Sequence, residues 1–188
     1  MKDLKILLKA EGKCTTDHVS PAGPWLKYRG HLENISQNMY SGALNAFTET
    51  NGEAINLISG KTENIYEVSK SYKENKINWV AVADENYGEG SSREHAAMEP
   101  RFMGCKIVLA KSFARIAQTN LKKQGIIPVI FEDKNDYDLI EAKDTISTLN
   151  LKEFDSETNL KLSLNKPDGS SFIIDTIHTF SKNQVGWV

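Results

Sequence analysis

The 188-residue sequence is poor in the features that assign a chain quickly to a class. It has only two cysteines, Cys14 and Cys105, and no C-x-x-C pair, so it cannot by itself supply the thiolates of an iron–sulfur cluster. We expect both to be reduced and partly buried. No apolar run approaches the roughly 20 residues of a membrane-spanning helix. The first residues show no secretory apolar region, so we expect no membrane partner.

An excess of positive charge is also missing. Lysine and arginine number 23 against 25 aspartates and glutamates, the formal net charge is −2, and the pI is near 6.1. Proteins that bind nucleic acid or anionic membranes usually carry a basic patch or stripe, so we expect neither partner. The length suits one substantial core, which predicts that residues 1–188 form a single domain.

Three short apolar runs rich in β-branched residues, at 77–83, 105–110 and 126–131, predict buried strands. Between the second and third runs, the apolar positions of 112–124 share one helical face, with Ser112 as the expected N-cap and Gly125 as the stop. Strand, helix and strand at this spacing predict a right-handed parallel crossover.

The remaining segments extend this α/β prediction. Residues 4–8 indicate a short strand, 12–30 an irregular glycine- and proline-rich segment, and 63–75 an amphipathic helix. Near the C-terminus, the alternating run 160–164 and the run 172–176 predict a hairpin across Lys-Pro-Asp-Gly. The predicted fold is therefore a single α/β domain with a parallel strand–helix–strand core and a C-terminal hairpin.

The most informative segment is Tyr-Gly-Glu-Gly-Ser-Ser-Arg-Glu-His at 87–95. Gly88 and Gly90 allow positive φ and a close approach of the backbone to a ligand. Ser91 and Ser92 are expected at a helix N-terminus, where unpaired amides and the helix dipole favour an anion. Arg93 adds a planar cation suited to a carboxylate or phosphate.

The same residues also fit a purely structural pattern. Ser-Ser-Arg-Glu at 91–94 matches a capping box, in which a serine accepts a hydrogen bond from the N3 amide and Glu94 reaches back to the cap. The two interpretations are compatible with each other, and local patterns leave both open.

This segment resembles the active-site loop of the aconitase superfamily. The stretch 12–31, Gly-Lys-Cys-Thr-Thr-Asp-His-Val-Ser-Pro-Ala-Gly-Pro-Trp-Leu-Lys-Tyr-Arg-Gly-His, is similar to the mitochondrial-type members rather than to the isomerases. Further resemblance runs through 77–79, 111–116 and 119–125, so that it covers roughly the whole chain. The resemblance implies a swivelling domain of β/β/α type, corresponding to the C-terminal part of a larger multidomain enzyme.

The resemblance also implies site residues. The aconitases of this superfamily interconvert citrate and isocitrate through cis-aconitate, and the matching positions imply that Ser91 is the catalytic base. They also imply that Ser92, Arg93 and Arg29 contact the substrate. A serine hydroxyl is ordinarily a poor base. Ser91 could act as one only if backbone amides and a nearby cation stabilised its alkoxide. A tricarboxylate needs more than one cationic clamp, which suits Arg29 as the second arginine.

The implied cofactor is a [4Fe-4S] cluster held by domains of the larger enzyme that these 188 residues lack. We therefore expect no metal site in this chain and no activity from the chain alone, since the metal that assists hydroxyl departure is missing. The implied partners are citrate, isocitrate, cis-aconitate and the cluster-bearing domains of the same polypeptide. The expected compartment is a bacterial cytoplasm or a mitochondrial matrix.

Two other interpretations compete with this one. The length favours a separate small subunit of a related dehydratase such as 3-isopropylmalate isomerase, whereas Arg29 and the 12–31 stretch oppose it. The second alternative is an aconitase-like protein that lacks the cluster and binds RNA. The acidic balance of charges counts against it.

Overall fold

A computed structural model describes residues 1–188 and shows a mixed α/β fold around a closed barrel. Eleven strands form: β1 Leu4–Lys9, β2 Leu44–Asn45, β3 Thr50–Asn51, β4 Glu53–Ile55, β5 Thr62–Asn64, β6 Trp79–Ala83, β7 Cys105–Ala110, β8 Ile127–Phe131, β9 Thr145–Thr148, β10 Lys161–Asn165 and β11 Ser171–Ile177. Six helices accompany them: α1 Thr16–Val19, α2 Leu32–Ile35, α3 Ile65–Glu74, α4 His95–Met103, α5 Arg115–Lys123 and α6 Lys182–Val185. Short 3-10 turns cover Gly23–Tyr28, Ser36–Asn38, Lys134–Leu139 and Leu151–Glu153.

The barrel has the strand order β1-β6-β7-β8-β11-β10-β9 and closes through β9 onto β1. The pairs β1–β6, β6–β7 and β7–β8 are parallel, whereas β8–β11, β11–β10, β10–β9 and β9–β1 are antiparallel. The two smallest sheets, β2 with β3 and β4 with β5, lie outside the barrel order. None of the six helices combines the length and the apolar composition that a membrane-spanning helix requires.

Strand alternation divides the core into two clusters. Val80 and Val82 of β6 belong to one cluster, together with apolar residues of every other barrel strand. Trp79, Ala81 and Ala83 of the same strand belong to the other, which includes residues of α3, α4 and α5. Because side chains alternate across a strand, β6 is buried on both faces, as the unbroken apolar run predicts.

Most predicted elements are present. The three apolar runs form β6, β7 and β8, and α5 connects β7 to β8 in the predicted parallel crossover. The amphipathic helix is α3, whose buried residues recur at helical spacing. The C-terminal hairpin is β10 with β11, paired from Asn165 opposite Ser171. The left-handed φ of Gly125, +77°, ends α5 as expected.

Two local predictions were wrong. Ser112 does not cap α5, which begins at Arg115 after Ala114. The Ser112 hydroxyl instead donates to Glu85 at 2.7 Å and accepts from the Asn86 amide at 2.7 Å. The 12–30 segment is not wholly irregular, because α1 and the 3-10 turn Gly23–Tyr28 lie within it. Side-chain hydrogen bonds accompany both differences, because Ser112 is bonded to Glu85 and Asn86, and Thr15 and His18 form a capping box at the start of α1.

Candidate functional site

The loop after β6 is anchored at its start. The amide of Tyr87 donates to the Ser112 carbonyl at 3.0 Å, and the Ala114 amide donates to the Tyr87 carbonyl at 2.9 Å. The hydroxyl oxygens of Tyr87 and Tyr40, both buried, lie 2.6 Å apart. Residue 87 is therefore held like a short extension of the sheet against the segment before α5.

The backbone conformation and the neighbouring atoms explain why glycine occupies both positions 88 and 90. Gly88 adopts φ +80°, and a Cβ at this position would lie 2.2 Å from the Cβ of Ala117 on α5. Gly90 adopts φ +115°, and its Cβ would lie 3.1 Å from the Oγ1 of Thr16. Since real Cβ contacts are not that short, only glycine lets the loop pack this closely at residue 88. The predicted positive φ of both glycines is confirmed, whereas the close approach seen at residue 88 is to α5 of the protein itself.

A second segment of the chain lies along the loop. The Gly88 amide donates to the Cys14 carbonyl at 2.7 Å, and the Thr16 amide donates to the Glu89 carbonyl at 2.9 Å. These two bonds attach the start of α1 to the loop. They bring the 12–31 stretch next to the serines, which local patterns could not predict.

The predicted capping box at 91–94 is absent. α4 begins at His95 with Glu94 as its N-cap, and no side chain caps it. Ser91 and Ser92 lie exposed in the turn before the helix. The backbone N–H groups of Gly90, Ser91, Ser92 and Arg93 donate no hydrogen bond within the chain. Ser91 and Ser92 therefore do not cap α4. Their hydroxyls and the neighbouring free amides are available to a ligand, and such a group of donors suits an anion.

Arg93 is oriented by the segment that contains α1. Its Nη1 atom pairs with the carboxylate of Asp17 and donates to the Ser20 carbonyl at 2.8 Å. The Arg93 side chain is 22% exposed and that of Asp17 67% exposed. The guanidinium has five N–H donors, and these two acceptors share one nitrogen, so an edge of the planar group stays available to a ligand.

Arg29 reaches the same region through its backbone. It follows the 3-10 turn Gly23–Tyr28, and its side chain is exposed. Nε2 of His95, the first residue of α4, lies 3.0 Å from the Arg29 carbonyl oxygen. The loop that carries Arg29 therefore docks on the start of the helix that follows Ser91 to Arg93.

Two cavities surround these residues. One, of about 220 Å³, is the Ser91 cavity, lined by Ser91, Thr16 and Asn120 among apolar side chains of α4 and α5. The other, of about 280 Å³, is the Arg29 cavity, whose walls include Arg29, Ser20 and His95. Ser92 and Arg93 line both cavities. The four predicted residues are thus brought onto one continuous surface, with Ser91 on one side and Arg29 on the other.

Thr16 is a member of the site that the sequence analysis did not identify. It is 3% exposed, its Oγ1 has no hydrogen-bond partner, and it lines the Ser91 cavity. Asp17, Ser20 and His95 are further contributors, through their contacts with Arg93 and Arg29. Their only sequence signal was membership of the resembling stretches, because nothing local predicts which distant residue each contacts.

The chain's own residues do not fit an iron–sulfur cluster. Cys14 and Cys105 are 1% and 0% exposed, and burial raises the pKa of each thiol to about 12. No group of three or more histidines, cysteines, aspartates or glutamates is arranged to hold a metal ion. Cluster ligation needs several thiolates together, so no step of the chemistry below passes through a metal bound by this chain.

Sequence comparison places this chain beside a family of enzyme domains. A family model described as Aconitase C-terminal domain matches residues 4–134. A probable mitochondrial aconitate hydratase of Dictyostelium discoideum is 50% identical over 186 residues, covering 98% of this chain. A mitochondrial homocitrate dehydratase of Saccharomyces cerevisiae is 49% identical over 191 residues, again covering 98% of this chain. In both cases the chain spans 24% of the relative's length.

Structure comparison shows the fold alone. A crystal structure of a 3-isopropylmalate dehydratase from Methanocaldococcus jannaschii superimposes with a TM-score of 0.50 at 21% sequence identity. The match covers 93% of this chain and 82% of that chain. The barrel with its surrounding helices is therefore an architecture that this dehydratase also has.

Proposed function

Because the chain belongs to the aconitase C-terminal domain family, we propose that residues 1–188 are the substrate-binding and catalytic-base domain of an aconitate hydratase. The full enzyme interconverts citrate and isocitrate through cis-aconitate. Its other domains hold the [4Fe-4S] cluster, which supplies the metal that assists departure of the hydroxyl. The swivelling domain closes over those domains. Matching relatives carry mitochondrial names, so of the two expected compartments this proposal takes the mitochondrial matrix.

The observation that carries this proposal is the shared wall of the two cavities. Ser92 and Arg93 line both, so a ligand on this surface spans from Ser91 to Arg29. A polycarboxylate of that extent finds Arg29 at one end of the surface, Arg93 in the shared wall and free backbone amides beside Ser91. Orientation by two separate cations fixes which carbon faces Ser91.

Ser91 is the proposed base that removes the proton beside a carboxylate. The free amides of residues 90–93 and the Arg93 guanidinium favour its alkoxide over the neutral hydroxyl. Gly88 and Gly90 keep the backbone in the conformation that presents these groups together. Asp17 and the Ser20 carbonyl orient Arg93, while the remaining N–H donors are left for the substrate.

Neighbouring serines provide the test. In the full-length protein that contains this domain, Ser91→Ala should lower turnover of citrate by far more than tenfold while citrate still binds. The matched Ser92→Ala should mainly raise KM, because it removes a binding contact. A turnover loss below about tenfold for Ser91→Ala, near 1.4 kcal/mol, would reduce Ser91 to a contact.

A comparison of substrates distinguishes an aconitate hydratase from the related dehydratases. Citrate, homocitrate and isopropylmalate should be compared with the same preparation, since relatives and a solved structure carry all three kinds of name. An immunoblot of source cells gives the size of the native polypeptide. A band near 21.1 kDa together with isopropylmalate turnover would replace the proposal with that of a separate small subunit.

A further inference from the structure

The first turn of α5 forms part of the wall of the Ser91 cavity. The backbone N–H groups of Arg115, Ile116 and Ala117 donate no hydrogen bond within the chain, and no side chain caps the helix. The hydroxyl of Ser112, the predicted cap, is bonded elsewhere. A helix start with free amides carries a partial positive charge, so this wall of the cavity favours an anion.

Thr16 contributes a buried hydroxyl to the same cavity. The residue is 3% exposed, it lines the cavity, and its Oγ1 has no hydrogen-bond partner. Burying an unpaired hydroxyl costs free energy that a valine of similar shape would avoid. Packing alone therefore gives no reason for a threonine here, whereas a bound acceptor would.

Short contacts join this hydroxyl to the start of α5 through the loop. A Cβ at Gly90 would lie 3.1 Å from Oγ1 of Thr16, and a Cβ at Gly88 would lie 2.2 Å from the Cβ of Ala117. The Thr16 amide also donates to the Glu89 carbonyl at 2.9 Å. Residues 88–90 thus contact both Thr16 and the first turn of α5, and the cavity borders all three segments.

The charged side chains of the cavity are of one sign. Its lining includes Arg93 and Arg115 but no aspartate or glutamate. The exposed Arg115 takes part in none of the ion pairs of the chain. Asn120, which is 8% exposed, adds a side-chain amide to the lining. Hydrogen bonds from such donors to an anion are strong where apolar side chains exclude water.

We propose that Thr16, Arg115 and the free amides of residues 115–117 form a second anion-binding site, the α5 subsite, which takes a carboxylate or another small oxyanion such as phosphate. Thr16 donates its hydroxyl hydrogen, the amides donate from the helix start, and Arg115 supplies the cation. The Thr16 hydroxyl gains its acceptor only when the anion is bound. Only the assignment of a carboxylate to the substrate rests on the proposed function.

Nuclear magnetic resonance of the 188-residue chain tests the subsite without any activity. Inorganic phosphate and citrate are titrated separately at neutral pH, with sodium chloride at matched ionic strength as the control. The amide signals of residues 115–117 should shift and saturate with at least one of the two anions. Those of residues 65–67 should not, because Asn64 caps the start of α3. Signals of 115–117 that respond to both anions only as they do to chloride would overturn the proposal.

Thr16→Val separates binding from folding. It removes the unpaired hydroxyl and keeps the shape, so the variant should unfold at the same or a higher urea concentration than wild type, yet bind the anion about fivefold more weakly. Thr176→Val is the matched control for stability. It removes a buried hydroxyl that donates to the Leu160 carbonyl at 2.5 Å, so it should unfold at a lower urea concentration and bind the anion as wild type does.

Arg115→Gln tests the cation without disturbing the core, since the residue is exposed. It should weaken anion binding about tenfold. Arg101→Gln is the matched control, because Arg101 is also exposed and lies outside the Ser91 cavity, and it should bind as wild type does. Folded Arg115→Gln and Thr16→Val variants that both keep the wild-type affinity would contradict the proposal.

Kinetics of the full-length protein distinguish the two sources of the anion. If the subsite holds a carboxylate of the substrate, phosphate should compete with citrate, and Arg115→Gln should raise KM about tenfold relative to Arg101→Gln. If it holds a free oxyanion, phosphate should bind without competing with citrate. A protein that does not act on citrate would remove the proposed function, and the phosphate titration would still decide whether the α5 subsite exists.

Discussion

Nε2 of His95 lies 3.0 Å from the carbonyl oxygen of Arg29, although 66 positions separate them in the sequence. The tautomer protonated at Nε2 donates this hydrogen bond, because a carbonyl can only accept. The bond joins the loop of one proposed substrate arginine to the helix that follows the other. A side chain at the first position of α4 thereby sets the distance across the substrate surface.

Removing this link should weaken binding more than chemistry. In the full-length protein, His95→Ala should raise KM for citrate about fivefold, near 1 kcal/mol, with little change in kcat. His178→Ala is the matched control, because His178 makes the same kind of bond, 3.0 Å to the Thr158 carbonyl, on another part of the chain. Equal effects of the two variants on KM would contradict a positioning role for His95.

Gly88 should be less replaceable than other glycines with positive φ. Gly88→Ala places a Cβ 2.2 Å from that of Ala117, so it should destabilise the fold by more than about 2 kcal/mol and displace the loop. Gly169→Ala, at φ +90° with nothing within 4 Å, should cost only the backbone strain of about 1 kcal/mol. Urea unfolding of both variants measures the difference, and similar losses would show that the contact with Ala117 is easily relieved.

The buried ion pair of Asp144 and Lys166 should matter more than an exposed one. Nζ of Lys166 lies 2.6 Å from Oδ2 of Asp144, and the Asp144 side chain is 0% exposed. Asp144→Asn leaves Lys166 charged without its partner and should cost about 3 kcal/mol of unfolding free energy. Glu85→Gln breaks the 2.7 Å pair with Lys134, whose side chains are both more than half exposed, and should cost under about 1 kcal/mol. Comparable losses in urea unfolding would rule out burial as the cause.

Stability should fall as pH rises towards 8, and Glu99 should be the reason. Its folded pKa, about 8, lies above its ordinary value of 4.5, so between these values the unfolded chain binds fewer protons than the folded one. The resulting loss approaches about 3 kcal/mol at pH 7. Glu99→Gln should therefore be more stable than wild type at pH 8 and similar to it at pH 4.5. Parallel pH profiles of unfolding free energy for the two proteins would contradict this prediction.

The strands were predictable because their signal is local. An unbroken run such as 77–83 has no polar position, so it must be buried on both faces, and β6 is. α3 and the β10–β11 hairpin likewise follow from periodicity and turn residues within a few positions of each other. Closure of the barrel through β9 and β1 was not predictable, because that pairing joins Leu4 to Ile146, which are far apart in the sequence.

The capping prediction shows the opposite case. Ser-Ser-Arg-Glu at 91–94 has the composition of a helix start, yet α4 begins only at His95. Residues 87–89, which precede the serines, are held by hydrogen bonds to Cys14, Thr16 and Ser112, all distant in sequence. Those bonds outweigh a local cap that contributes about 1 kcal/mol.

By itself, the sequence determined the class of fold, the buried strands and the loop that carries the proposed chemistry, because each of these depends on residue types within a short window. It also determined the resemblance through which Ser91, Ser92, Arg93 and Arg29 were chosen. Only the tertiary structure decided that Asp17 and Ser20 orient Arg93, that His95 holds the Arg29 loop, and that Glu99 is buried without a partner. Contacts between distant positions arise from packing of the whole chain, and no local pattern specifies which partner a polar side chain will meet.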